Sequence, residues 1–221
     1  MDSATYRMIA RDRLHGNWKK SVLAALIAAM LGGLVTGVGM NFELNIDERV
    51  VQNMSTAFKQ LLAYLAGFGS VLGLAQIIIG GVVRQGYCQF LLKQYDKQNP
   101  EMNDLFSQFH RFGDGFCLAL LQGLYIVLWT MLFIIPGIIA GYRYAMAPFV
   151  LLENPDMTAS EAIEASKQMM DGHKMDLFLL DLSFIGWELL CVLSLGIGYL
   201  WLRPYRNAAY AAFFRSFQRV Y

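Results

Sequence analysis

The sequence predicts an all-α, polytopic transmembrane helical bundle, and three observations carry that expectation. Hydrophobic residues make up 56% of the chain and charged residues 16%, against about 45–50% and about 25% in soluble domains. Residues 21–42, 60–83 and 115–142 contain no Asp, Glu, Lys or Arg. Each window matches the roughly 20 apolar residues that carry a helix across about 30 Å of hydrocarbon. Three such windows are too many to bury in a soluble core of 221 residues. The net charge of +1 points to no nucleic-acid partner.

Residues 1–20 read as an interfacial amphipathic helix. Tyr6, Ile9, Ala10, Leu14 and Trp18 recur at three-to-four spacing, and Arg7, Arg11, Asp12 and Arg13 fill much of the rest. Such a helix lies in the headgroup plane or packs on the bundle. Residues 21–221 then form the integral membrane domain. Its first span is expected at about 21–40, with Gly33 and Gly37 spaced for close helix contact. A polar loop over 41–59 leads to a second span at about 61–83, where Gly69 and Gly73 form a similar pair. Gln85 to Tyr95 continues that helix outward until Asn99-Pro100 breaks it. Asn103 is the expected cap of a short helix that follows.

The apolar run 115–152 is too long for one span. Within it, "IIPGIIAG" places Pro136 and Gly137 where the chain turns or kinks. Two spans in a hairpin, about 115–135 and 138–152, are the favoured reading. Thr158 and Glu161 make a capping box. It starts a surface helix over 157–171, which Gly172 stops. A second hairpin is expected from about 177–194 and 199–214, turned by "LGIG" with Gly196 and Gly198. The count is six spans. A five-span alternative lays residues 203–221 along the surface. The two hairpins echo each other, because Gly115 to Pro136 and Asp176 to Ile197 are each 21 residues. Weak internal repeats of this kind occur in transporters.

Lys and Arg set the expected topology. The first 20 residues hold five, residues 84–114 four, 153–176 two and 203–221 four, while both hairpin tips hold none. That bias places both termini and the long connectors in the cytoplasm of a multi-pass cell-membrane protein.

From Trp129 to Phe214 the motifs carry a family resemblance. They include Pro136-Gly137, Tyr144, Pro148, Asn154-Pro155, Gly172-His173-Lys174, Leu180-Asp181, Ser183-Phe184-Ile185-Gly186-Trp187, Gly196-Ile197-Gly198 and Pro204-Tyr205. The chain resembles the DUF975 family of bacterial integral membrane proteins of unknown function. One departure is Phe214, where similar members often carry tyrosine. The resemblance implies the membrane class and brings no catalytic residue, ligand or partner.

Four embedded charges form the candidate polar cluster: Arg143, Asp181, Glu188 and Arg203. Asp181 and Glu188 are seven residues apart, so they share a helix face. Charges in hydrocarbon face the bundle, pair, or line a wet cavity, and Arg143 and Arg203 are the expected counter-charges. Pro136, Gly137, Ser183, Gly186, Trp187, Gly196 and Gly198 are expected packing positions. In the "SFIGW" stretch Gly186 would admit a neighbouring helix. Lys167, His173 and Lys174 are expected at the cytoplasmic boundary, within reach of anionic lipid headgroups. Cys88, Cys117 and Cys191 are isolated and show no metal or disulfide spacing, and no cofactor or metal is expected. No nucleophile elbow, zinc motif or phosphate loop is present. The expected role is an envelope scaffold or accessory protein binding lipid, other membrane proteins or a second copy. A small-solute or ion transporter and an intramembrane lipid-modifying enzyme are the alternatives.

Overall fold

The computed structural model describes residues 3–32, 79–194 and 196–218, and every regular element among them is a helix. The all-α class is therefore the observed one. In order these are α1 (Ser3–Leu14), α2 (Trp18–Gly32), α3 (79–95), a 310 helix (Met102–Arg111), α4 (Phe112–Leu132) and α5 (Ile134–Tyr144). Then come α6 (Ala147–Glu153), α7 (Ala159–Met169), α8 (Lys174–Leu182), α9 (Ile185–Leu193) and α10 (Tyr199–Gln218).

The first hairpin closes where the apolar run meets proline. α4 ends at Leu132, Phe133 is extended at φ −159°, and α5 begins at Ile134. Pro136 sits in the first turn of α5, where its missing N–H has no intrahelical partner to lose. Gly137 lies directly against Thr130 of α4, and a Cβ there would collide with the Thr130 Cα at 2.8 Å. The second hairpin uses the same device. Gly196 adopts a left-handed φ of +87°, and a Cβ on Gly198 would stand 3.0 Å from the Cα of Cys191. In both hairpins the glycine faces the residue seven positions earlier. The sequence echo is thus also an echo of turn packing.

One end of the bundle gathers the charges. Arg215 on α10 reaches Asp96 after α3 (2.6 Å) and Glu153 at the end of α6 (2.9 Å). Lys93 pairs with Asp104 at 2.5 Å, and Arg111 donates to the Pro155 carbonyl. α4 leaves this end and α10 returns to it. With 21 and 20 residues, each covers about 30 Å at 1.5 Å per residue. The tips at Phe133 and Gly196 therefore lie on the far side, and Phe133 and Ile197 are exposed there. α7 begins with the expected capping box: Thr158 Oγ1 accepts from the Glu161 N–H, and the Glu161 carboxylate accepts from the Thr158 N–H. Gly172, at φ +79°, ends the turn after it.

α1 packs lengthwise on α10. Tyr6, Ala10 and Leu14 are buried, Tyr6 meets the Phe213 ring at 5.3 Å, and Tyr205 Oη donates to the Arg7 carbonyl. α3 docks on α4 and the 310 helix through glycine. Cβ atoms on Gly81 and Gly86 would strike the Gly115 and Leu105 carbonyls. The expected pairs Gly33/Gly37 and Gly69/Gly73 lie outside the described residues.

Several expectations need correction. Among the described residues, two stretches are long and apolar enough to cross a membrane: Met102–Leu132 and Ile135–Glu153. The described residues therefore do not confirm the six-span count. The span expected at 177–194 divides into α8 and α9, because the chain turns at Ser183 and Phe184. The span expected at 199–214 is one helix, but Arg203, Arg206 and Arg215 interrupt its apolar run. The span expected at 21–40 is described as far as Gly32, where it forms most of α2, and that expected at 61–83 lies mostly outside the described residues. Glu101, rather than Asn103, caps the 310 helix, since the Asp104 carboxylate turns back to the Glu101 N–H.

Candidate functional site

The two acids within the apolar stretch of α8 and α9 are held in different ways. Asp181 on α8 is held by phenols. Tyr210 Oη on α10 lies 2.7 Å from both carboxylate oxygens, and Tyr142 Oη on α5 donates to Oδ2 at 3.1 Å. Three helices thus meet at one carboxylate. Glu188 on α9 takes an ion pair instead, accepting from Arg206 Nη1 at 2.8 Å. Breaking such a pair leaves a charge with no compensation.

The expected arginines go elsewhere. Arg143 turns towards α7: its carbonyl accepts from Ser166 Oγ, and its charge lies within electrostatic reach of Asp171. Arg203 points into a cavity. The partner of Glu188 is therefore Arg206, three residues further along α10. That offset turns a side chain by about 60° around the helix. It is enough to send Arg206 to α9 and Arg203 inward.

The cavity has a volume of about 370 Å³ and is bounded by α2, α3, α4, α5, α6 and α10. Its polar wall holds Arg84 of α3 with Arg203 and Arg206 of α10, joined by Tyr87, Asn207 and Tyr210. Asn207 Nδ2 donates to Tyr87 Oη at 3.4 Å, bridging the two helices. Arg84 stands within electrostatic reach of Tyr210, and Arg203 of Tyr87. Much of the remaining lining is apolar, with Ala25, Leu91, Ile126, Ile138 and Phe149, beside the polar Gln122 and Tyr142. Ile138 lines the cavity and is also exposed, so the space opens onto the apolar outer face. No acidic side chain among the described residues lines it. Asp181 is screened by Tyr210, and Glu188 lies beyond Arg206. Neither Arg84 nor Arg203 makes a hydrogen bond or ion pair among the described residues.

A family model with the description "Protein of unknown function (DUF975)" matches residues 1–139 and 130–220. The chain belongs to the DUF975 family. Searches of curated proteins and of solved structures each return no match. Membership of DUF975 therefore carries no activity to this cavity, and its chemistry rests on the side chains themselves.

In this DUF975 chain the residues expected at the boundary make contacts within the protein. Lys167 contacts Glu164 and Lys174 contacts Asp171, each at 3.0 Å. His173 Nδ1 lies 3.0 Å from the Asp176 carboxylate, with its ring edge-on to Phe217 at 4.8 Å. Lys174 holds the Asp171 carboxyl below the usual carboxylate range. The backbone N–H and hydroxyl of Thr158 do the same for Glu161. In "SFIGW", Phe184 is the packing residue, fully buried against Tyr205. Ser183 Oγ donates to the Leu180 carbonyl, while the Ser183 carbonyl accepts from Arg7. A Cβ on Gly186 would meet nothing within 4 Å among the described residues, so no described helix approaches there. Trp187 is exposed and, with Trp18 and Trp201, lines an apolar groove of about 510 Å³.

Sequence reading missed Arg84 and Arg206. Arg84 follows a charge-free window, which makes it look like the first residue of a wet connector. The missed signal lies beyond it. Tyr87, Cys88, Leu91 and Leu92 keep a helical apolar face past the arginine, and all four are buried. Among the described residues, no three His, Cys, Asp or Glu side chains converge as a metal site.

Proposed function

We propose that this chain is an integral membrane protein with both termini on the cytoplasmic side, acting as an accessory protein that binds lipid within the bilayer. The outer face of the hairpins carries this reading. Only 17% of the most apolar window in Met102–Leu132 is buried. Leu124, Leu128, Leu132, Ile135 and Ile139 are exposed on the first hairpin, and Leu189, Leu193 and Trp201 on the second. The core helix of a soluble protein buries such a window, and exposed apolar area of this extent marks a membrane or protein contact. The charged end and the distance of about 30 Å to the tips suit one bilayer thickness. The Lys and Arg bias assigns the charged end to the cytoplasm.

A transporter is the second reading, and the cavity supports it, since polar groups from several helices face one space. The two readings separate on flux: an accessory protein binds without moving solute across sealed vesicles. The membrane reading itself is tested by alkaline carbonate washing of membranes holding the full chain. Retention in the pellet with release by detergent is expected. Release of folded monomer by carbonate or salt alone would overturn the proposal.

A further inference from the structure

The cavity's unbalanced charge points to its ligand. Arg206 is neutralised by Glu188, but Arg84 and Arg203 face the same space with no acidic lining residue and no hydrogen bond among the described residues. Two guanidinium groups without a counter-charge among the described residues are costly in a low-dielectric setting. Occupation by an anion removes that cost.

From the geometry we infer that this cavity is a binding site for a phosphate monoester, held by Arg84 and Arg203. This inference rests on the membrane reading above. A phosphate monoester carries a charge of about −1.5 to −2 near neutrality, which matches the charge of these two arginines. Its oxygens accept paired N–H donors from the planar guanidinium fork. Tyr87 Oη and the second N–H of Asn207 offer further donors there, while the Tyr210 hydroxyl is already committed to Asp181. The remaining lining is mostly apolar, with Gln122 and Tyr142 as its other polar groups, and the cavity opens beside exposed Ile138. Its volume of about 370 Å³ falls in the range of small-molecule sites. The site has cationic side chains for an anion, apolar side chains for hydrocarbon and a mouth beside the exposed apolar face. It fits the headgroup and first methylenes of a lipid such as phosphatidic acid, entering from the bilayer. Arg203 lies about 18 Å along α10 from Arg215, so the headgroup would sit well below the charged end.

The test measures binding to the full-length protein in detergent, by thermal shift and by retained mass in native mass spectrometry. The probes are dioctanoyl phosphatidic acid, dioctanoyl phosphatidylcholine and inorganic phosphate. Phosphatidic acid is expected to bind and stabilise, and phosphatidylcholine is not. Arg84→Gln and Arg203→Gln should each weaken binding about 10-fold or more. Arg84→Lys should retain part of the affinity, and Lys97→Gln, an exposed change of equal charge, all of it. Inorganic phosphate competing as strongly as the lipid would make free phosphate the source; weaker competition would make it the lipid. Either result supports the site. Equal binding of phosphatidylcholine, or wild-type affinity in both Gln variants, would overturn it. Should the Gln variants not fold, discrimination between the two lipids by the wild-type chain decides the question. Carbonate-resistant protein that ignores phosphate refutes this site and leaves the membrane reading intact. Carbonate-released protein refutes the membrane reading first.

Discussion

Removing one phenol from Asp181 should cost more at Tyr210 than at Tyr142. Tyr210 Oη lies 2.7 Å from both oxygens of the carboxylate, whereas Tyr142 reaches one oxygen at 3.1 Å. Hydrogen bonds to a charged group contribute about 1.5–3 kcal/mol, and ordinary ones about 0.5–1.5 kcal/mol. The short contact of Tyr210 places Tyr210→Phe in the first range. The longer contact places Tyr142→Phe in the second. At roughly 2–4 °C per kcal/mol for a chain of this size, Tyr210→Phe lowers Tm by roughly 3–12 °C. Tyr142→Phe lowers it by roughly 1–6 °C. The double variant should lose more than the sum, because each phenol partly covers for the other while Asp181 remains unsolvated. The assay is thermal unfolding of detergent-solubilised protein at fixed lipid content. A larger loss in Tyr142→Phe than in Tyr210→Phe would refute the reasoning, as would two neutral variants.

Other consequences are equally specific. In a double-mutant cycle of thermal stability, Glu188→Gln should couple to Arg206→Gln by about 0.5–3 kcal/mol and add simply to Arg203→Gln; coupling to Arg203 instead would contradict the observed pair. Gly137→Ala should destabilise by about 1–3 kcal/mol through its clash with Thr130, while Gly186→Ala, in open space on α9, should be neutral or gain up to about 1 kcal/mol of helix propensity; denaturation of the two variants side by side reads the contrast. The capping of α7 should depend on pH. Thr158 lowers the Glu161 carboxyl below its ordinary value, so the box is fully present above that value and is lost as pH falls through the lowered one. Amide exchange at Thr158 and Glu161 should accelerate in that acid window, and Glu161→Gln, which removes the titrating carboxyl, should abolish the step.

The hairpins were legible because their signals are local. Pro136-Gly137 and Gly196-Ile197-Gly198 stop helices within apolar runs, and turn chemistry does not depend on distant contacts. The Thr158–Glu161 cap was legible for the same reason. The break at Ser183 and Phe184 was not, because no proline or left-handed glycine marks it; the ring of Phe184 seated on Tyr205 holds the chain there. The candidate site was half legible. Spacing put Asp181 and Glu188 among apolar residues, but choosing between Arg203 and Arg206 needs the rotation of α10, which apolar periodicity blurs when arginines occupy two faces. Arg84 was hidden because a positive charge after an apolar window ordinarily marks the membrane edge. Here α3 stays buried for a further eleven residues, as far as Tyr95.

The surroundings of the exposed hairpin face are measured most directly by spin labels placed singly at Leu128, Ile139 and Leu189 in reconstituted vesicles, with Lys97 as the wet reference. Relaxation by oxygen, soluble in hydrocarbon, is compared with relaxation by a water-soluble nickel chelate. At the three apolar positions the account predicts high oxygen accessibility and little nickel accessibility, reversed at Lys97. Nickel accessibility at Leu128 and Leu189 equal to that at Lys97 would place these helices in water and contradict it.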